Sequence, residues 1–512
     1  MHRPFPLETF QLEPLSHLTS STSVTRCTAG RWHCGFATKE QTPTYRGFDS
    51  YFGYFGGFND YLHAWSEQAC PQRDATNHSI SYNHSAADNS KCTHSSVHAR
   101  HLKSTTDLWL NTHPAHGING TGFEEAQFEE RVLGIIAGHG AAVAPLYVYY
   151  AMHLVHSPLC VPEGYLEKFE FIRDADDNVN HDRQYVAAMV NYLDDVVGNV
   201  ATALKNAGLW NNTLMVWSSD NGGAVEGTTG MKNSYPLRGG YTTNWEGGQK
   251  RGIVYQNHTK TRNCALRMMT MHFAGGVRAD AFVNGGLLPD HVRGSRLAGA
   301  ASYIHLCDWY ATFCGLAGVN PRDVVAEERK LPAVDSLDMW PMLSGTNLTS
   351  PRTEILFTPL KGLRPTHGND PYNLDIPSDM RDPMMIVGKW KLLLGQVDQC
   401  WWQGPRYPNG SNTWDVYATM VNCTDNSTGK VACLFDVIDD ETEHHDVADE
   451  NPEVVQRMVE RMEEVQRGVF DPDRGAKDDV GACEAVEKSG GFWSPWRELA
   501  AADGGGEGAG GV

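Results

Sequence analysis

Two histidines and a carboxylate–amide pair are the residues of this sequence whose types and settings could do chemistry. His33 lies in "GRWHCG", His156 lies in "VHSPL", and Asp220 and Asn221 stand side by side in "SSDNGG". Histidine exchanges protons near neutral pH, and adjacent carboxylate and amide oxygens suit a hard cation such as Ca²⁺. Each stretch alone also has a common structural interpretation, because single histidines are often structural and Asp-Asn-Gly is a frequent turn.

The segments around these residues are typical of an α/β sheet. Residues 145–152 ("PLYVYYAM") have the composition of a buried strand that ends shortly before His156. Apolar residues recur at helical spacing over residues 181–208, with Gly208 suited to end the helix. Residues 213–218 then predict a strand that ends before Asp220. Because functional residues of such sheets gather at the carboxyl ends of strands, His156 and Asp220 are both expected at such an edge.

A second, smaller region follows in the last third of the chain. Strands are predicted for "TEILFTPL", "MMIVGKWKLLLG" and "CLFDV". The stretch "NPEVVQRMVERMEEVQ" predicts a helix with Asn451 as N-cap and Pro452 as its first residue. This is the composition of a small α+β domain, and the glycine-rich tail beyond it is expected to be disordered.

Composition excludes some partners and favours a compartment. The formal net charge of −20 argues against a nucleic-acid partner, and the chain has no apolar run long enough for a membrane span. Twelve cysteines and nine Asn-x-Ser/Thr sequons favour a glycoprotein of the secretory pathway, extracellular or lysosome-like. The first residues contain no apolar stretch of the signal-peptide type.

Several stretches, taken in order, resemble the sulfatase family and especially its arylsulfatase B-like group. They run through nearly the whole chain: "GRWHCGFATKEQTPTYRGFDSYFGY", "VHSPLCVPEGY", "SSDNGG", "YPLRGG", "NWEGG", "VDSLDMWPML", "GKWKLL" and "FWSPW". The resemblance implies an alkaline-phosphatase-like α/β sandwich, a mixed sheet between helices, with a smaller C-terminal α+β domain. It also implies hydrolysis of sulfate esters of aryl compounds or sugars. A phosphate-ester hydrolase of the same superfamily and a non-catalytic binder of sulfated glycans are the alternatives.

The resemblance also implies roles for single residues. His33 and Arg31 would lie beside the sulfate group, and His156 would help to protonate the leaving alcohol. Asp220 and Asn221 would be ligands of Ca²⁺. The family's nucleophile is a formylglycine made from a cysteine.

Three departures from the family pattern bear on activity. Arg31 stands where the family has the lysine of Gly-Lys-Trp-His, and Tyr241 replaces a second sulfate-binding lysine. The stretch before Gly30 contains no Asp-Asp pair of metal ligands. "CTAGR", which begins at Cys27, has the spelling of the modified-cysteine motif, but its Arg31 already matches the Gly-Lys-Trp-His lysine. Cys27 is therefore expected to imitate the nucleophile, and the chain is expected to be catalytically incomplete and inactive as written.

The expected domain organisation follows from these sequence patterns and from the resemblance to the sulfatase family. The expected parts are an unrelated, disordered leader (1–28), a catalytic α/β domain (29–345), a C-terminal α+β subdomain (346–497) and a disordered tail (498–512). Within the catalytic domain, residues 249–276 interrupt a family-like "NWEGG…VRADAF", are rich in Lys and Arg, and contain no Asp or Glu. They show no period of 2 or 3.6 in their apolar residues, which predicts an irregular surface loop.

The cysteines and one histidine pair complete the predictions. Cys70 with Cys92 is the best local disulfide, and Cys423 with Cys433 is a second, for which Cys400 competes. The resemblance implies that Cys483 lacks its partner and is unpaired. "ETEHHD" (441–446) looks like a metal cluster but is interpreted as the acidic turn between the last strand and the final helix.

Overall fold

The computed structural model of the chain describes a large part of its sequence. The residues that the structure describes are 24–57, 59–62, 64, 90–92, 105–118, 121–140, 144–172, 178–220, 235–239, 244–246, 254–255, 279–328, 330–358, 383–398, 402–403, 414–415, 420–425, 427–468 and 479–498.

The strands of these residues are, in chain order, β1 (Thr25–Arg31), β2 (Ser50–Tyr54), β3 (Ser90–Cys92), β4 (Trp109–Leu110), β5 (His113–Pro114), β6 (Leu146–Ala151), β7 (Cys160–Pro162), β8 (Met215–Ser218), β9 (Val254–Tyr255), β10 (Ala281–Asn284), β11 (Glu354–Thr358), β12 (Met384–Val387), β13 (Trp390–Leu393), β14 (Gln396–Asp398), β15 (Trp402–Gln403), β16 (Trp414–Asp415), β17 (Met420–Asn422) and β18 (Cys433–Asp436). The α-helices are α1 (Glu124–Gly138), α2 (Glu163–Leu166), α3 (Asn178–Asn206), α4 (Asp308–Leu316), α5 (Val324–Glu328), α6 (Trp340–Leu343), α7 (Pro452–Gln466) and α8 (Asp479–Lys488).

The chain divides into two compact units, each built from separate stretches of sequence. Unit 1 comprises Met1–Asn89, His94–Pro158 and Asp478–Val512, and unit 2 comprises Ser90–Thr93 and Leu159–Lys477. The C-terminal boundary therefore differs from the expected one, because α8 belongs to unit 1 and not to the region that holds α7.

The main sheet of unit 1 has the strand order β5-β4-β2-β1-β6, with β1 parallel to both of its neighbours. Its two faces follow from the alternation of side chains along β2. Phe52 packs edge-on against Phe128 of α1, with ring centroids 5.4 Å apart. On the other face Phe36 stacks on Phe55, and Phe36 packs in turn against Trp493, which follows α8. Unit 1 is thus a sheet between helices.

Unit 2 contains a three-stranded and a four-stranded sheet besides two-stranded ones. The first has the order β8-β10-β9 and the second the order β11-β12-β13-β18. One face of the four-stranded sheet packs against α7 through Met458 and Met462, and the other packs against Trp245. The α/β class with a smaller α+β region is confirmed, and α7 begins as predicted, with Asn451 as N-cap and Pro452 as first residue.

Three expectations about these segments are wrong. Residues Thr25–Thr28 are not disordered, because they form the first part of β1, an interior strand of the main sheet between β2 and β6. Within the inserted segment, Val254–Tyr255 form a strand parallel to β10 and not an irregular loop; the rest of 249–276 lies outside the described residues. The strands before His156 and Asp220 belong to different sheets, because β8 pairs with β10 and not with β6.

The cysteine predictions have mixed outcomes. Cys423 and Cys433 form a disulfide, as predicted. The expectation for Cys483 is wrong, since Cys483 is disulfide-bonded, and so is Cys160. Cys70 lies outside the described residues, so the pairing of Cys70 with Cys92 stays a prediction.

Candidate active site

The turn that carries His33 is an extension of β1. Beyond the last residue of that strand, the backbone N–H groups of Trp32 and His33 still donate to the carbonyls of Tyr54 and Phe55, at 2.9 and 3.1 Å. The Trp32 indole N–H donates to the carbonyls of Gly35 and Gln41, at 3.0 and 2.9 Å. His33 itself has a φ of +48°, a left-handed conformation that turns its side chain away from the alternation of the strand.

Arg31 and His33 are in direct contact. Nη2 of Arg31 lies 2.6 Å from Nδ1 of His33. Because a guanidinium only donates hydrogen bonds, Nδ1 accepts, and the hydrogen of a neutral His33 is on Nε2. The pair therefore presents a fixed positive charge and an imidazole donor side by side.

His156 follows β6, the parallel neighbour of β1. Its Nδ1 lies 2.8 Å from the carbonyl oxygen of Ser157, which can only accept, so Nδ1 carries a hydrogen. The Tyr61 hydroxyl lies 3.0 Å from the carbonyl of His153 and 3.2 Å from the backbone N of His156. The turn after β6 is thus held in place by a buried side chain.

Beneath these residues is a buried group that the sequence did not reveal. The first two residues of α1, Glu124 and Glu125, are buried, as is His153. Nδ1 of His153 lies 3.0 Å from Oε2 of Glu124. Glu125 accepts from the Tyr150 hydroxyl at 2.5 Å and from the backbone N–H of His153 at 3.0 Å. In the sequence, two acids at the start of a helix only indicate a complement to the helix dipole.

Burial dominates the protonation of this group. It raises the pKa of Glu124 well above its ordinary value, and the neighbouring Glu125 adds to the effect. Burial likewise raises the pKa of Glu125 to about 7. It lowers the pKa of His153 far below its usual range, and the positive charges of His156 and Arg31 lower it further. Arg31, His153 and His156 are therefore close enough to interact electrostatically.

The predicted metal ligands are in unit 2. Asp220 is an exposed residue just after β8, whereas Asn221 and Tyr241 lie outside the described residues. Across the described ranges, no group of three or more His, Cys, Asp or Glu side chains could hold a metal ion. Since Ca²⁺ takes six to eight oxygen ligands, the donors described here do not make up a calcium site.

Neither Cys27 nor Cys307 has the setting of a nucleophile. Cys27 is in the middle of β1, not at the start of a helix, and is only 4% exposed, as expected if "CTAGR" imitates the modified-cysteine motif. Cys307 lies 2.9 Å from Nδ1 of His305, but burial, followed by Asp308, raises the pKa of its thiol to about 12. A thiol with so high a pKa is a poor source of thiolate.

Several of the sequence stretches singled out above meet inside unit 2. The Arg238 guanidinium lies 3.7 Å from the centre of the Trp245 ring and 4.3 Å from that of Trp402. Arg238 also donates to the backbone carbonyl of Glu443 at 3.1 Å.

A buried ion cluster lies beside this stack. Nζ of Lys391 is 3.2 Å from Oε1 of Glu246 and 2.7 Å from Oε1 of Glu443, the latter at angles outside those of a hydrogen bond. The interpretation of "ETEHHD" as a turn agrees with this structure, because the stretch lies between β18 and α7. Its Glu443 is paired with Lys391 in the ion cluster.

Comparisons with known proteins identify the family. The sulfatase family model matches residues 7–279, more than half of the chain. The chain belongs to the sulfatase family. The match begins at residue 7, so the expectation of an unrelated leader through residue 28 is wrong for most of that segment.

Individual relatives agree with the sulfatase assignment. The chain is 30% identical to mouse arylsulfatase J over 91% of its own length and 64% of that protein, and 25% identical to mouse N-acetylgalactosamine-6-sulfatase over 44% and 34%. It thus spans less than two thirds of these relatives. Among solved structures, Ps i-CgsB in complex with k-i-k-neocarrahexaose is 22% identical, with a TM-score of 0.55 over 91% of this chain and 76% of that one. This likeness confirms the alkaline-phosphatase-like fold class.

Proposed function

We propose that this protein hydrolyses sulfate esters at the site formed by Arg31, His33 and His156. The observation that carries the proposal is the placement of these residues at the carboxyl ends of β1 and β6, which are adjacent parallel strands. Ligands of α/β sheets bind at such edges. A guanidinium and two imidazoles form a cationic, donor-rich surface that complements a sulfate group.

The hydrogen bonds of the site suggest a division of labour. Arg31 supplies permanent charge, and His33, whose Nδ1 is occupied by Arg31, offers Nε2–H to a sulfate oxygen. His156, whose Nδ1–H donates to the Ser157 carbonyl, would as the imidazolium deliver the proton on its Nε2 to the leaving oxygen and end as the neutral ring with its hydrogen on Nδ1. Sulfate release requires both actions, because negative charge must be held while an alkoxide leaves.

Neither Cys27 nor Cys307 supplies a nucleophile, and the described side chains do not make up a calcium site. When bound, Ca²⁺ would supply positive charge, and Asp220 and Asn221 would be two of its ligands. The described donors are too few for that ion, so no step is assigned to it. Addition of Ca²⁺ should raise the melting temperature of the protein but not of an Asp220→Asn variant if Asp220 is a ligand.

The name of one relative suggests aryl sulfates and the name of the other suggests sulfated sugars, so the test uses both. Sulfate release is measured from 4-nitrophenyl sulfate, phosphate release from 4-nitrophenyl phosphate, and binding to a sulfated polysaccharide by calorimetry. Sulfate release that His156→Asn lowers at least a hundredfold, and that substitution of the exposed His113 by Asn leaves unchanged, would support the proposal and overturn the expectation from the sequence that this chain is inactive.

Each other outcome contradicts the proposal in a specific way. Preferential release of phosphate would assign the protein to phosphate-ester hydrolysis. Polysaccharide binding that depends on Arg31 without any release would make it a binder of sulfated glycans. If the protein shows neither turnover nor binding, the proposed site is wrong.

The surroundings of the protein are also a proposal. Disulfides at Cys160, Cys423, Cys433 and Cys483 favour an oxidising compartment, which agrees with the sequons and with a secretory, extracellular or lysosome-like location. No α-helix in the described part of the chain is both long and apolar enough to cross a membrane. Secretion of a glycan-bearing protein that shrinks on treatment with an amidase specific for N-linked glycans would support this location.

A further inference from the structure

We propose that His153 is an additional anion-binding residue of this site, held by a neutral Glu124 in the tautomer that carries its hydrogen on Nε2. The inference rests on the proposed function in one respect, since the anion that His153 meets is the sulfate group bound by Arg31 and His33. The protonation states of Glu124 and His153 do not depend on the proposed function.

Asn59 determines which oxygen of Glu124 accepts. Its Nδ2 donates to the carbonyl oxygen of Asp107 at 3.3 Å and to Oε1 of Glu124 at 2.7 Å. The amide cannot be reversed, because its oxygen would then face the Asp107 carbonyl, another acceptor. Oε1 of Glu124 is therefore an acceptor, and only Oε2 can carry the proton of a neutral acid.

The surroundings of Glu124 favour that neutral acid. Its side chain is buried, and Glu125, Asp60 and Asp107 all act on it as nearby negative charges. Ionising Glu124 would place another negative charge in this group without solvent. The proton on Oε2 is then donated to Nδ1 of His153, 3.0 Å away, so the hydrogen of His153 is on Nε2.

The ring of His153 is fixed, and Nε2 is on the edge opposite Glu124. The ring stacks on Tyr61, with centroids 4.0 Å apart and planes 15° apart, and lies 5.1 Å from the ring of Tyr54. Nε2 is buried and has no hydrogen-bond partner among the described residues. A buried donor without a partner is costly, which points to a ligand atom as the intended acceptor.

The neighbours of His153 indicate what that acceptor is. The His156 ring lies 5.9 Å away, and Arg31 acts on His153 as a nearby positive charge. A neutral N–H donor adds to the binding of an anion without the repulsion that a third cation would meet. One oxygen of the sulfate group is the acceptor that this arrangement fits.

The tautomer can be read directly from the full chain labelled with ¹⁵N-histidine. Long-range ¹H–¹⁵N spectra distinguish the two neutral tautomers and the imidazolium, and a His153→Gln variant identifies the signal of His153. We expect a neutral ring with its hydrogen on Nε2 from pH 5 to pH 8. A hydrogen on Nδ1, or an imidazolium within this range, overturns the inference whatever the protein hydrolyses.

Titration with inorganic sulfate then tests the binding role. We expect Nε2 of His153 to shift along with the signals of His33 and His156, and His153→Leu to weaken sulfate binding roughly tenfold. Shifts at His33 and His156 without one at His153 would overturn the inference and leave the proposed function in place. No shift at any of the three would contradict both.

Two adjacent glutamates provide a matched pair of variants. In Glu124→Gln the amide can still accept from Asn59 and donate to His153, so the Nε2–H tautomer is kept, whereas Glu124→Ala loses it. In Glu125→Gln the amide oxygen can accept from the backbone N–H groups of His153 and Leu154 and the amide N–H can donate to the Tyr150 hydroxyl, so this control should leave the His153 signal unchanged. If Glu124→Gln disturbs the His153 signal as much as Glu124→Ala does, Glu124 acts as a carboxylate and the inference is wrong.

Discussion

Arg31 carries the positive charge that the proposed sulfate site needs, with a guanidinium in place of the amine expected at this position from the family pattern. In the structure its planar end donates to His33 at 2.6 Å, a contact that fixes the tautomer of the imidazole. A single residue therefore supplies a positive charge and also determines which nitrogen of His33 carries the hydrogen.

Substitution of Arg31 tests this role. Arg31→Ala should weaken the binding of inorganic sulfate roughly tenfold or more, because a charged hydrogen-bond donor is lost. Arg26→Ala is the matched control, since Arg26 is on the opposite face of the same strand and pairs with Asp49 at 3.2 Å. Calorimetry that finds equal losses in the two variants would contradict the assignment.

Lys391 is the residue on which the buried ion cluster of unit 2 depends. It is fully buried between Glu246 and Glu443, and burial raises the pKa of Glu443. Lys391→Met should lower the free energy of unfolding by about 3–5 kcal/mol, because two buried carboxylates lose their cation. Lys389→Met is the control, with a side chain 46% exposed that pairs with Asp436. Similar denaturant midpoints for both variants would show that the cluster contributes little.

At the scale of elements, Asp107 holds the end of β2. Its two carboxylate oxygens accept from the backbone N–H groups of Phe55 and Gly56, at 2.9 and 2.7 Å. The same short segment leads into β4, the antiparallel neighbour of β2. Asp107 thus connects the residues just after β2 to the start of β4.

The protonation of Asp107 makes the stability of this element depend on pH. Burial raises its pKa to about 6, above the value in an unfolded chain, so the folded state binds the proton more tightly. This stabilisation is complete below about pH 4 and is lost as the pH rises to about 6, and it amounts to about 3 kcal/mol.

An Asp107→Asn variant tests this pH dependence. The melting temperature of the unsubstituted protein should therefore rise relative to Asp107→Asn between pH 6 and pH 4, and the difference should be constant from pH 7 to pH 8. Asp290→Asn, at an exposed carboxylate, is the control and should follow the parent curve. Parallel curves for all three proteins would mean that Asp107 does not titrate in this range.

At the scale of the whole molecule, the described cysteines divide into free thiols and disulfide-bonded residues. Free thiols are found at Cys27, Cys34, Cys307 and Cys314, and disulfides at Cys160, Cys423, Cys433 and Cys483. Alkylation in denaturant without reductant, followed by peptide mapping, should label the first set and not the second. A labelled Cys483 would restore the expectation drawn from the sequence and contradict the structure.

The sequence by itself determined the family, the α/β class and most of the elements. The signals were the apolar period for α3, Asn451 and Pro452 at the start of α7, and the order of the motifs for the family. These features depend on neighbours a few residues away, which a single sequence displays directly.

Only the tertiary structure decided the surroundings of the site. No local pattern distinguishes the buried Glu124 from a solvated acid at a helix start, because burial depends on Asn59, Tyr61 and His153, which come from other parts of the chain. The same holds for Thr25–Thr28, whose place in an interior strand follows from pairing with β2 and β6. Contacts between residues far apart in sequence set burial and pairing, and these in turn set protonation.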